Sequence, residues 1–478
     1  MRRISPIALL LCSLCALPVA ADTITVDWRG GADYETIQDG LDAAGDGDVV
    51  LVAFGTYTGL HNTELDFHGD RISLLSVHGP PHEAVIDCEQ LYRAFVFDDG
   101  EDSLAVVQGF RIVSGLADTG GAVLVSGASP SFRDCTIESS TATGAGGGIA
   151  VLGGDPIFDS CMLSGNAAAE GAAIAVVGGS ATLRGCAFSS NDADDDGGAL
   201  LFTGSSGVVR ACTFSGNEAS DGGAAYVLGA QVDFDDCDFD GNEATRGGAL
   251  SLRRPSVVSV SGCSFVGNRS DSYGAALHMY GCSPSISDCL FRENEPTGGG
   301  TIWGEYSSPV LSYCTFWNNR GTYEPDIGHD IELYHTDIAD ALIENCTFCG
   351  WRMNSRDDGA LLRFGDCEPL IERCIIAFYN HGPGITCAGT GEPTIRECVV
   401  YGNVGGDEIC GDDPHNNMSL DPLFCGFWEG ELTLCANSPC LPEYNPWGVL
   451  IGAHDLGCGE CETPVEHTSW GTIKAMFR

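Results

Sequence analysis

Gly197–Asn217 reads GGALLFTGSSGVVRACTFSGN, and the chain repeats this stretch with substitutions for about two hundred residues. Each copy has a Gly-Gly-Ala start, a short aliphatic run, a small polar turn and a cysteine, with an aromatic or aliphatic residue two later and an Asn five later. The cysteines fall at 135, 161, 186, 212, 237, 263, 289 and 314, spaced 25 or 26 residues apart. The Asn series at 166, 191, 217, 242, 268, 294 and 319 keeps its offset of five. Between them stand Leu163, Phe188, Phe214, Phe239, Phe265, Phe291 and Phe316. A looser continuation carries Cys346/Phe348, Cys374/Ile376 and Cys398/Val400, and Asn403 rejoins the series.

The apolar runs are four to five residues long, too short for helices, and Gly or polar turns separate them. Constant offsets at a constant period stack equivalent residues along one axis, with parallel strands roughly 4.8 Å apart. The pattern predicts an all-β right-handed parallel β-helix with coils of about 25 residues and two or three strands per coil. Alternation turns each cysteine and the residue two later inward. Stacked Phe rings then fill the bore, and stacked Asn amides satisfy a turn that would otherwise leave backbone groups unpaired. The ladder cysteines are expected as free, buried thiols, because parallel in-register side chains suit disulfide torsions poorly.

Other segments frame the stack. Residues 1–21 read as a signal peptide, with Arg2 and Arg3, an apolar Ile7 to Leu17 and a small-residue end at Val19-Ala20-Ala21. Residues 22–67 are expected to form an N-terminal cap and 68–404 the β-helix, whose first coils, to about 118, read as irregular. Residues 405–461 are rich in Cys and Pro and read as a C-terminal cap, where disulfides are plausible and Cys458/Cys461 read as a cap disulfide. Residues 462–478 are a linker and a tail holding the only lysine, Lys474. No run is long enough to span a bilayer. The expected location is secreted, extracellular or on the outer surface of a bacterial cell.

Three resemblances add to this. The series DYETIQDGLDAAGDGDVVLVAFGTY, residues 33–57, resembles the start of secreted β-helix proteins of the pectin-lyase-like superfamily. The pairing of GGA with FxxN, as in Gly247-Gly248-Ala249 and Phe265–Asn268, is similar to the motifs of chlamydial polymorphic outer-membrane proteins, which are surface adhesins. The closing motifs Asp421–Phe424, Ser438-Pro439-Cys440, Ile451-Gly452-Ala453 and Gly457-Cys458 resemble the ends of bacterial β-helix repeat proteins.

Net charge is −45, from 67 acidic and 22 basic residues, which argues against nucleic acid and anionic membrane as partners. No cofactor is expected beyond loosely bound calcium, for instance at Asp194-Asp195-Asp196, which reads as an acidic turn. No His or Cys spacing predicts a metal centre; His329, His335 and His381 read as scattered loop residues. The position two after the Ala of GGA points outward and reads Leu124, Ala150, Ala175, Leu201, Tyr226, Ser251, His278, Trp303, Glu332 and Arg363. Midway this row turns aromatic and charged. Tyr226, His278 and Trp303 suit stacking on sugar faces, and Glu332 and Arg363 suit gripping hydroxyls or carboxylates. The leading expectation is a non-catalytic, adhesin-like protein that binds a polysaccharide or cell-surface partner along this row. The alternatives are a polysaccharide lyase or glycosidase acting near His278, Trp303, Glu332 and Arg363, and a structural envelope protein. No pectinesterase-like or polygalacturonase-like signature is present, and no paired Asp cluster is expected on the row.

Overall fold

The computed structural model describes residues 21–77, 84–319, 321, 329–334, 341–350, 360–411 and 417–461. The signal-peptide expectation, apart from residue 21, and the tail from 462 onward lie outside these residues, as does His335. Among the described residues no helix is long and apolar enough to cross a membrane.

The coils stack as a parallel β-solenoid with three long sheets. A 15-stranded sheet runs from Thr23–Val26 to Thr394–Arg396 and carries the strand before each cysteine. A 14-stranded Cys–Phe sheet runs from Gly55–Thr58 to Val399–Tyr401. A 13-stranded GGA sheet runs from Leu65–Asp66 to Ile385–Ala388. Between the Cys–Phe and GGA sheets, coils from Leu116–Ala117 to Glu295–Pro296 add a fourth, 8-stranded Asn sheet. Sequence reading expected at most three strands per coil and placed Asp194–Asp196 in a turn; that segment lies in the Asn-sheet strand Asp192–Asp196. Its composition disfavours a strand. Backbone pairing to Ala167–Glu170 and Glu218–Asp221 holds it in one. The first coils are regular as well: Ser73–Ser76, Val106–Gln108 and Phe110–Val113 all join the long sheets.

The ladders are as the offsets dictate. Phe188, Phe214, Phe239, Phe265, Phe291, Phe316 and Phe348 stack with centroids 4.6–4.9 Å apart. Each Asn from 166 to 294 donates its amide to the Oδ1 of the next, at 2.9–3.0 Å, and Asn319 ends the chain on Asp330. Gly216, just before Asn217, sits at φ 58, a left-handed turn that glycine enters without strain. The ladder cysteines are free and buried.

The N-terminal end is covered by the helix Ile37–Ala43, capped by Thr36, with Ile37 and Leu41 buried. The C-terminal segment does two jobs. Asn403 closes its ladder on Asp407, and Met418 pairs with Cys398 and Val400, finishing the last coil. From Phe424 the chain then folds back along the flank. Phe424, Leu432, Leu434, Cys440, Leu441 and Ile451 pack on the outer face of the Cys–Phe sheet, against Cys349, Ile375, Ala377 and Val399. His454 reaches Thr315 at 2.8 Å, and Ala453 N donates to Thr347 Oγ1 at 2.9 Å. Cys425–Cys458 and Cys435–Cys461 bridge this segment, and Cys387–Cys410 ties the last coil. Cys458 and Cys461 thus each pair with a separate strand rather than with one another.

Candidate functional site

Each regular coil makes one sharp corner, where the Asn strand meets the GGA strand. The glycines there are demanded by space. A Cβ on Gly198 would lie 2.1 Å from Gly223 O and 2.5 Å from Glu218 O. The inward residues of the next strand, such as Leu200 and Phe202, fill the bore. The outward residue falls into the inside of the corner: a Cβ on Gly171 would meet the Leu201 and Ala175 side chains.

Strand register confirms the alignment of the outward row, from Leu124 through Tyr226, Ser251, His278, Trp303 and Glu332 to Arg363. Its exposure differs from expectation. Ala150, Ala175, Leu201, Ser251, His278, Trp303 and Glu332 are buried, while Tyr226 and Arg363 are half-buried. The corner itself covers them. His278 stacks on Trp303 at 5.1 Å, and Trp303 stacks on Tyr273 at 4.6 Å, so these rings pack on protein. His278 Nδ1 lies 3.3 Å from Ser251 Oγ. Burial first, then Arg253 and Arg246, push its pKa down to about 3, so the ring is neutral at ordinary pH. Arg363 Nη1 is 3.4 Å from Glu332 Oε1, which also accepts from the Tyr334 hydroxyl at 2.7 Å. These two residues thus pair through Oε1, while Glu332 Oε2 is buried without a hydrogen-bond partner. Burial, then the charge of Glu332, raise the Tyr334 pKa. His329 lies in the strand His329–Tyr334, buried, with Nδ1 2.8 Å from Ala360 O.

A second row, unread in the sequence, lines the other wall. It is the residue immediately before the glycines: Glu170, Asp196, Asp221, Arg246 and Tyr273, aligned by the Asn sheet. Asp221 is nearly buried and accepts from Arg246 Nη2 at 2.6 Å and from Arg253 Nη2 at 3.1 Å. Arg253 belongs to the GGA strand, so this pair joins the two walls. Burial, then the charges of Asp221 and Glu170, raise the Asp196 pKa to about 6. Burial also raises the Tyr226 hydroxyl, which faces Asp196 and Arg253. Paired aspartates, unexpected on the outward row, are thus present one row away. The constant position before the first glycine of each corner was the signal that would have found them. Arg246 and Tyr273 remain about two-fifths exposed, so this wall offers guanidinium, ring and carboxyl groups to solvent.

A hollow also lies on the outer face of the Cys–Phe sheet between Thr213, Ser215, Asp238, Asp240, Ser264 and Val266. It has hydroxyls and carboxylates but no aromatic ring facing out and no guanidinium.

Comparison with known proteins fits this architecture. The sequence profile described as "Right handed beta helix region" matches residues 120–278 and 222–420. No curated protein sequence matches significantly. Among solved structures, similarity is found to a mannuronic acid specific polysaccharide family 6 lyase from human gut microbiota, at 12% identity and TM-score 0.30, covering 78% of this chain and 86% of that one. It is also found to the alginate lyase AlyF-OU02 in complex with G6, at 11% identity and TM-score 0.26, covering 78% and 85%. XylC with xylose matches at 9% identity and TM-score 0.25, covering 84% and 87%. These likenesses are of fold. With its profile match running from residue 120 to 420, its parallel sheets in register and its stacked ladders, the chain belongs to the right-handed β-helix family.

Proposed function

We propose that this is an exported, surface-acting protein that binds a polysaccharide along the corner between the Asn and GGA sheets, without cleaving it. One observation carries the reading: the two-walled strip in which Asp196, Asp221, Arg246 and Tyr273 oppose Tyr226 and Arg253. The strip presents a new residue every coil, roughly 4.8 Å on, which is close to the size of a sugar ring. A half-buried tyrosine and partly exposed guanidinium groups suit the faces and polar edges of a sugar. The rest of the row, buried His278 and Trp303 and Glu332 with half-buried Arg363, supports the strip and shapes its far end.

The test is retention on immobilised polysaccharides of different charge, with product analysis. Binding predicts retention without new reducing ends or unsaturated uronate absorbance, weakened by Tyr226→Ala and by Arg246→Ala. Retention unchanged in both variants contradicts the site assignment. A second reading has one specific support. Asp196, with its pKa near 6 and Asp221 on the next coil, has the character of a proton donor beside a second carboxylate. A glycosidase would release reducing ends and lose that activity in Asp196→Asn.

A further inference from the structure

The fold-back segment brings four sulfurs together. Cys425 lies on the strand Phe424–Gly426, and Cys435 ends the strand Glu431–Cys435, which pairs antiparallel with it. Cys458 ends the strand Leu456–Cys458, in register with Cys435, and Cys461 follows one short turn later. The sulfurs of Cys425, Cys435 and Cys458 lie within 4.8 Å of one another. The sequence shows one Cys-x-x-Cys pair, 458 with 461; folding supplies the second pair from adjacent strands.

Two bridges join these sulfurs, Cys425–Cys458 and Cys435–Cys461, but the bridges do not account for how closely the pairs approach each other. Across the bridges, Cys458 Sγ is 3.7 Å from Cys435 Sγ and 3.9 Å from Cys461 Sγ. Zinc bonded to four thiolates at about 2.3 Å sets its sulfurs about 3.8 Å apart, by tetrahedral geometry. The unbonded contacts thus already have the length of a tetrahedral edge. Opening a bridge from about 2.05 Å to that edge separates its sulfurs by about 1.7 Å, within reach of side-chain rotation.

An independent observation points the same way: hydrogen bonds that need no bridge hold the three segments together. Cys435 N donates to Leu423 O at 2.9 Å, Leu434 N to Asp455 O at 3.0 Å and Ala436 N to Gly459 O at 3.1 Å. Asn437 holds Cys461 from both sides. Its Nδ2 donates to Cys461 O at 2.9 Å, and its Oδ1 accepts from Cys461 N at 3.0 Å. Reduction therefore leaves four thiols gathered in a frame that the backbone maintains. Cys435 is buried, while Cys425, Cys458 and Cys461 are half-buried, so the cluster is open to an entering ion.

We infer that Cys425, Cys435, Cys458 and Cys461 form a zinc site when reduced, so that the same four sulfurs hold the fold-back segment either as two bridges or as a tetrathiolate. A dithiol reductant passes two electrons and two protons to each bridge and closes its own disulfide. Zinc then takes the four sulfurs as thiolates and releases their four protons. Soft thiolate ligands select zinc over calcium or magnesium, which take oxygen. The inference is independent of the polysaccharide strip.

The test uses the full chain, reduced anaerobically with a phosphine, freed of reductant and titrated with cobalt(II) alone as a coloured substitute for zinc. One equivalent is expected to give the visible absorption of tetrahedral tetrathiolate cobalt, and one equivalent of zinc to erase it. The oxidised chain is expected to give no such band. The double change Cys425→Ser with Cys458→Ser is expected to lose the band, while Cys461→His keeps one-equivalent binding with a shifted band. Cys440→Ala, at a buried thiol of the same flank, is expected to leave the band unchanged. Zinc is also expected to slow proteolysis of residues 424–461 in the reduced chain. A reduced wild type with no band, or with no protection by zinc, overturns the inference. So does an unshifted band that survives the double change, or loss of all binding in Cys461→His.

Discussion

The stack between Gly120 and Asn319 keeps its cysteines as thiols, whereas the segment after residue 345 divides them between thiols and bridges. In the stack, eight cysteines at one position are thiols buried in a shared core. Beyond it, Cys346, Cys374 and Cys398 continue that ladder as buried thiols, while six other cysteines form three bridges where coils lose their fixed period and the chain doubles back over the flank. Where the repeat is regular, stacked rings and amides hold each coil to the next, and a cross-link adds nothing they need. Where it is irregular, the Asn sheet is gone, and the bridges tie the segments that no ladder holds. The corner follows the same division. Its two walls exist only where the Asn sheet exists, from Leu116–Ala117 to Glu295–Pro296.

The comparison breaks most visibly if the ladders are not the main support. Phe239→Ala removes a ring stacked on both neighbours, at 4.8 and 4.7 Å, and is expected to cost about 3–5 kcal/mol in denaturant unfolding. A cost below 1 kcal/mol contradicts the stacked-core account. Next comes the double change Cys435→Ser with Cys461→Ser. Loss of that bridge is expected to cost about 2–4 kcal/mol, confined to the flank, and read as faster proteolysis around residues 424–461 while the stack resists.

A smaller effect separates the corner from its surroundings by pH. The folded state holds the Asp196 proton up to about pH 6, against the ordinary carboxyl value of 3.8. It therefore binds more protons than the unfolded chain between those values, and stability falls as pH rises through that window. Asp196→Asn removes this dependence and is expected to gain about 1–2 kcal/mol relative to wild type at pH 7.5, the full shift being discounted for solvent screening of this half-buried group. His278 acts at the other limb. Its folded pKa is near 3 against 6.5, so stability is lost as pH falls below 6.5, and His278→Phe should flatten that limb in pH-dependent melts. The smallest effect is Cys212→Ala, expected to cost only about 1 kcal/mol, because the thiol is a small core residue without a bridge. A loss as large as that of the flank bridge would mean the ladder sulfurs do more than pack.

The stack was legible because its signal is repeated. Cys, Phe and Asn at fixed offsets leave one axis on which all can coincide, and inward burial follows from alternation. The Asn sheet was not legible. Residues such as Ala-Ser-Asp at 219–221 carry no strand preference, and only pairing with neighbouring coils extends them. The outward row was placed in register correctly, but its burial depends on the corner, which comes from backbone geometry at Gly198 and its equivalents rather than from side-chain type. Tyr226 therefore stays available while His278, Trp303 and Glu332 are spent on internal contacts. The fold-back of residues 424–461 was illegible because contacts such as His454 with Thr315 span more than a hundred positions.

The most direct measurement compares the corner with the outer face of the Cys–Phe sheet. Arg246→Asp alters the corner, while Ser215→Asp alters the hollow on the Cys–Phe sheet, and both positions are open to solvent. Retention on the polysaccharide that binds the wild type is predicted to fall at least tenfold in Arg246→Asp and to stay unchanged in Ser215→Asp. Loss of retention in Ser215→Asp with Arg246→Asp unaffected would place binding on the other face and contradict the account.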